Sequence, residues 1–248
     1  MKKFILMIQF FTRIPINMEI DIKDDDFAKG IVYFPIVGLV IAIVNVLTYL
    51  LFSKITTGLF PVVMVVLANV LITGALHVDG LADTCDGIYS ARKKERMLEI
   101  MKDSRLGTNG AVAILFDLIL RITLLSSVLD KNIVKVILIT TIISKTMVAV
   151  LAYISPKRES GLGSLFVGKV SIKNILITLL ICVIPSFLIL GHMALIIIGL
   201  NVLLMIIFRN YILKRLGIIS GDILGAANEI SEIFILVVFI IIQRFLLL

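Results

Sequence analysis

The sequence predicts an all-α fold, a polytopic integral membrane bundle of about seven transmembrane helices. Hydrophobic residues make up 60% of the chain and mean hydropathy is +1.13, too apolar for an ordinary soluble domain. These residues also gather in runs approaching or exceeding the roughly 20 that a helix needs to cross the hydrocarbon core. No repeat, Ser/Pro-rich linker or low-complexity tract divides the sequence, so residues 1–248 are expected to form one integral membrane domain.

The first residues, MKKFILMIQFFTRIPI, imitate a signal peptide, with Lys2 and Lys3 ahead of an apolar stretch. Gln9, Arg13 and Pro15 interrupt it, and no small-residue cleavage site follows. A retained interfacial helix is expected instead. The spans are expected at 31–52, 60–78, 111–130, 133–153, 174–190, 193–209 and 229–248, the fifth and sixth separated only by Gly191 and His192.

Seven spans place residues 1–30, 79–110, 154–173 and 210–228 on one side. Nearly all the loop lysines and arginines lie there, against Lys54 and Lys131 opposite. The positive-inside rule makes that side cytoplasmic, which puts the protein in the cell membrane as a multi-pass protein with its long charged loops inward. This bias accounts for the net charge of +7 without nucleic acid, for which no binding module is present. Cys85 and Cys182 lie in unrelated segments and have no metal-site spacing.

The stretch HVDGLADTCDG, residues 77–87, is the strongest chemical signal. With the second span continuing as a helix through residue 87, Asp79, Asp83 and Asp86 stand at i, i+4 and i+7 on one narrow face, and His77 and Cys85 point elsewhere. Three stacked carboxylates at the C-terminal end of a helix repel one another and oppose its dipole. A hard divalent cation such as Mg2+ relieves both effects. The loop continues IYSARKKERMLEIMKDSRLGTNG: Met97, Leu98, Ile100 and Met101 suit a short interfacial helix. Arg92, Lys102 and Arg105 suit phosphate, and Asp103 suits a fourth metal ligand. Carboxylates, a divalent ion and arginines are the apparatus of phosphoryl or pyrophosphate chemistry. Two further inward loops supply Arg158, Glu159 and Asp222; Glu229 and Glu232 open the last span.

The HVDGLADTCDG motif and the SARKKERMLEIMKDSRLGTNG that follows it closely resemble the signature of the cobalamin synthase family, the adenosylcobinamide-GDP ribazoletransferases. The similarity extends to FFTRIP, GIVYFPIVGLVIA, ESGLGSLFVGK and SGDILGAANEISE, and so runs the length of the chain. It implies a Mg2+-dependent membrane enzyme that joins α-ribazole, or its 5′-phosphate, to adenosylcobinamide-GDP, with release of GMP. Asp79, Asp83 and Asp86 match the acidic motif, and Lys102, Asp103, Ser104 and Arg105 the adjoining one. Arg13, Arg158, Gly161, Gly163, Gly221, Asp222, Gly225 and Glu229 fall on family-like positions. The resemblance and the acid pattern together imply attack by a ribose hydroxyl on the cobinamide-side phosphorus, with Asp86 or Asp103 as proton acceptor. The chain departs from the family at Pro156 and Lys157, where a Tyr-Ala pair is usual before the arginine. It departs again at Gly217–Ser220, where Gly-Gly-x-Thr is usual.

Two other classes compete. Asp79 and Asp83 also spell the Asp-x-x-x-Asp of UbiA-like prenyltransferases, but the loop around Asp222 supplies no second aspartate-rich motif. A cation transporter would use ionisable residues within spans, here Asp117, Arg121 and Lys145. Asp117 and Arg121, at i and i+4, are expected to form a buried structural pair instead.

Overall fold

The computed structural model describes residues 2–23, 25–157 and 161–246. Among them are eleven α-helices and no strand: α1 Lys2–Phe11, α2 Asp26–Gly30, α3 Phe34–Phe52, α4 Leu59–Thr73, α5 Leu76–Ile88, α6 Lys94–Ile100, α7 Thr108–Ser126, α8 Asp130–Ile154, α9 Ile172–Leu190, α10 His192–Leu216 and α11 Gly221–Leu246. Six segments are long and apolar enough to cross a membrane: 26–52, which contains α3, and α7 to α11. The bent pair α4 and α5 makes a seventh if counted as one span. The chain is thus a polytopic helical membrane protein.

The expected second span, 60–78, is broken. Gly74 and Ala75 both adopt left-handed backbone, with φ of 60° and 58°. Their amides close the end of α4 on the carbonyls of Leu71 and Val70, a glycine C-terminal stop. α5 then leaves at 88° to α4. Arg13 braces the corner: its amide donates to the Ile72 carbonyl at 2.7 Å, and its guanidinium fills the space a Cβ on Gly74 would need.

α8 is the buried centre of the bundle, packed against α3, α9, α10 and α11. Gly38 of α3 permits one of these crossings, since a Cβ there would fall 2.6 Å from the Thr141 carbonyl of α8. α1 is helical as expected, yet Leu6, Met7, Ile8 and Phe11 are buried against protein, so it is more than a surface anchor. α6 likewise turns Met97 inward, with Met101 just past its end. The Met101 side chain and the Met97 carbonyl pack on Gly87 of α5, where an interfacial helix would have given both side chains to lipid.

The last helix begins eight residues before the expected 229. Asp222, expected in a loop, is in its first turn, and Glu229 and Glu232, expected at its opening, lie well inside it, fully buried. Arg121 of α7 bonds Glu229 at 2.7 Å and Glu232 at 2.8 Å, with Asp117 at 3.6 Å. Lys145 of α8 donates to Asn228 at 2.7 Å, and Ser144 to Glu232 at 3.2 Å. The expected Asp117–Arg121 pair is therefore one edge of a network joining three helices. Glu232 is its member, not a first-turn acid placed for the dipole.

α5 and α11 cross with almost no side chain between them. A Cβ on Gly80 would fall 2.6 Å from the Asp222 carbonyl, and one on Gly225 would fall 3.2 Å from the His77 carbonyl. Because the obstacle at Gly80 is backbone, Gly80→Ala must push the helices apart. A cost of about 1–3 kcal/mol is expected, read as a lower midpoint of thermal unfolding in detergent. An unchanged midpoint would show that the crossing has slack.

Candidate functional site

The crossing of α5 and α11 brings the acids together. Asp79 and Asp222 each occupy the first turn of their helix, where the dipole favours a negative charge. This reverses the expectation for Asp79, which assumed one helix running through from residue 60. The charges of Asp79, Asp222 and Asp86 all act on Asp83. Asp79 is exposed, and Asp83 and Asp222 are half-buried. Ser220 donates to the Asp222 carboxylate at 3.1 Å.

Asp86 behaves differently. It is buried, and its two oxygens accept the amides of Gly107 and Gly110 at 2.8 Å each. These amides belong to the start of α7, whose orphan N–H groups need acceptors. Gly107 and Gly110 bring the backbone close enough, because a Cβ on either would strike the carboxylate. Asp86 thus ties the long loop back onto α5, and α7's N-terminus offsets its position near the C-terminal end of α5.

The loop's other expected residues lie at the surface. Arg92, Lys102 and Arg105 are exposed. Arg105 holds Asp103 through three hydrogen bonds of 2.6 to 3.2 Å, and this pairing holds the Asp103 carboxyl down to about 2. A carboxylate so stabilised is a poor proton acceptor near neutrality. Glu229 is enclosed in the Arg121 network rather than in the acid group at the crossing. Arg13 stands at the α4–α5 corner. Arg158 and Glu159 lie outside the described residues.

Beside the acids is a cavity of about 140 Å³, lined by Phe10, Phe11, Phe34, Phe166, Leu76, His77, Val148 and Leu224, with Asp79, Gly221, Asp222 and Gly225. Its aromatic wall is tightly built: Phe11 meets Phe34 edge-on with ring centres 4.8 Å apart, and Phe34 meets Phe166 at 5.4 Å. His77 lies parallel to Phe11 at 5.8 Å. The lining draws on all four segments expected on one side: Phe10 from 1–30, Asp79 from 79–110, Phe166 from 154–173 and Asp222 from 210–228. Gly163 helps seat the third of these, its α-carbon lying against Ser220 and Gly221.

His77 is the residue that sequence reasoning set aside as facing elsewhere. It does face away from the aspartates along α5, but the crossing with α11 and the packing of α1 turn that direction into the cavity. The visible signal was a histidine within an otherwise apolar and acidic motif.

As the side chains stand, no three His, Cys, Asp or Glu groups among the described residues are gathered around a point that could hold a metal ion. The hard-oxygen set that faces outward from the crossing is Asp79, Asp83 and Asp222. Asp86 already spends both oxygens on amides.

Comparison with known proteins agrees with the motif. The family model for cobalamin-5-phosphate synthase matches residues 3–240. The protein named adenosylcobinamide-GDP ribazoletransferase of Clostridium novyi (strain NT) is 49% identical over 235 residues, covering 94% of both chains. Proteins of the same name from Clostridioides difficile (strain 630) and Thermoanaerobacter sp. (strain X514) are 40% and 37% identical, covering 99% and 96% of this chain and 100% and 97% of theirs. No solved structure matches. A family model that covers residues 3–240, with similarity along almost the whole length of these relatives, places the acid-bearing chain in the cobalamin-5-phosphate synthase family.

Proposed function

We propose that this protein is an adenosylcobinamide-GDP ribazoletransferase of the cell membrane, with its active site on the cytoplasmic face. The observation that carries the reading is the convergence of segments 1–30, 79–110, 154–173 and 210–228 on a cavity bordered by Asp79 and Asp222, beside Asp83. The substrates are adenosylcobinamide-GDP and α-ribazole or its 5′-phosphate. A ribose hydroxyl forms a bond to the cobinamide-side phosphorus, and the bond from that phosphorus to the GMP oxygen breaks. The products are adenosylcobalamin, or its 5′-phosphate, and GMP.

Asp79, Asp83 and Asp222 fit Mg2+ by the chemistry of their donors, since hard carboxylate oxygens on facing helices suit a small divalent ion. When bound, the ion supplies neutralising charge to the pyrophosphate oxygens. Asp86 positions: by gripping the first amides of α7 it fixes the loop that carries Lys102 and Arg105. Those two residues, with Arg92, offer charge to the phosphates from the exposed side. Asp79 and Asp222 line the cavity itself, and a carboxylate oxygen of one of them that does not hold the ion receives the hydroxyl proton. Asp103, committed to Arg105, does not serve this role.

The test is GMP release by the purified chain in liposomes given adenosylcobinamide-GDP, α-ribazole and Mg2+. GMP and adenosylcobalamin are expected in equal amounts, with both lost on chelation and restored by Mg2+. A folded preparation that releases no GMP would overturn the assignment. GMP release that survives chelation would remove the metal from it.

A further inference from the structure

The phenylalanine cavity has a feature that a purely apolar hole would lack. His77 is 3% exposed, and neither of its ring nitrogens has a hydrogen-bond partner among the described residues. A buried imidazole carries one donor and one acceptor, and leaving either unmade is costly. The ring nevertheless lines the cavity, held flat against Phe11. The wall around the ring is aromatic and aliphatic, with Asp79 and Asp222 at one side of the cavity, and Asp79, which is exposed, carries its lining to the surface.

We propose that this cavity seats the aromatic base of the acceptor nucleoside, and that His77 donates a hydrogen bond to the ring nitrogen of the base that bears no sugar. The inference rests on the ribazoletransferase reading for the identity of the nucleoside. Size agrees: an apolar cavity of roughly 150 Å³ holds one benzene ring. At about 140 Å³ this one takes the flat carbocycle of a benzimidazole and leaves the sugar outside. Chemistry agrees as well. Phe11, Phe34 and Phe166 offer faces and edges to a planar ring, while a base rich in keto groups would meet carbon and the two carboxylates, which repel its oxygens. Seating the base there directs the ribose past Asp79 and Asp222, where the proton acceptor stands. His77 is a binding residue, with no part in bond making.

Equilibrium dialysis against the full-length chain in detergent tests this without turnover. The probes are α-ribazole and the matching indole riboside, in which the sugar-free ring nitrogen is replaced by C–H. The unmodified protein is expected to bind α-ribazole about tenfold more tightly than the indole riboside, the worth of one buried neutral hydrogen bond. His77→Leu should lose that preference and bind both equally, and His77→Gln, which keeps a donor, should recover part of it. Equal binding of the two nucleosides by the unmodified protein overturns the proposal, even if His77→Leu fails to fold. So does a preference that survives in folded His77→Leu, as when the cavity holds a lipid tail and the nucleoside binds elsewhere. Release of GMP together with equal binding would sink this inference and leave the ribazoletransferase reading standing. A His77-dependent preference without GMP release would do the reverse.

Discussion

Asp83→Asn is expected to lower kcat/KM for GMP release by at least roughly 100-fold while leaving thermal stability unchanged or higher. Asparagine keeps the shape of the side chain and removes its charge. Even outer-shell partners of a catalytic metal are worth roughly 10–100-fold, and Asp83 is proposed as a direct ligand. Its charge is also opposed by those of Asp79, Asp222 and Asp86, so its removal relieves repulsion in the protein without ligand. Activity and stability should therefore move in different directions. Measurement of initial rates alongside thermal unfolding decides the matter: a variant that loses both together would make Asp83 a structural acid, and one that keeps its rate would remove it from the site.

Arg121→Met is expected to be strongly destabilising. Arg121 is the cation facing Glu229, Glu232 and Asp117, all buried. Its loss leaves three carboxylates with Lys145 as the nearby positive charge, and removing one partner of a buried ion pair costs about 3–5 kcal/mol. Solvent cannot absorb the difference inside a membrane bundle. The expected result is a large fall in the unfolding midpoint in detergent, or failure to accumulate as folded protein. Addition of Glu232→Leu, which removes one of the stranded acids, should recover part of the loss because the two sites are directly coupled. A midpoint for Arg121→Met equal to that of the unmodified protein would show that the network contributes nothing to stability.

Hydropathy made most of the bundle legible, because α3 and α7 to α10 are runs whose apolar character needs no partner to be recognised. It misplaced the start of α11 for an identifiable reason. Asp222 looks like part of a soluble loop, and Glu229 and Glu232 like the polar opening of a span, until Arg121 and Lys145, more than 80 residues away in sequence, are brought beside the last two. The break after α4 was hidden too, since a single Gly74 within an apolar run is a weak stop signal and Ala75 gives none. The acidic motif was readable as a motif, but its division of labour was not. Asp86 differs from Asp83 only in what approaches it, two glycine amides from a loop 21 and 24 residues on. His77 fails the same way: its role depends on Phe11 and Phe166, which no local spacing connects to it.

The corner at Gly74 has a bearing on the lipid as well as on the protein. α4, with 15 residues, rises only about 22 Å, against roughly 30 Å of hydrocarbon in an average bilayer. Such hydrophobic mismatch is met by thinning of the surrounding leaflet or by tilt. Because α5 leaves the Gly74 end of α4 at 88° and carries Asp79 and Asp83, the position of these acids is tied to that end. Acyl-chain length in the host membrane thereby becomes a variable that acts on the height of the aspartates themselves.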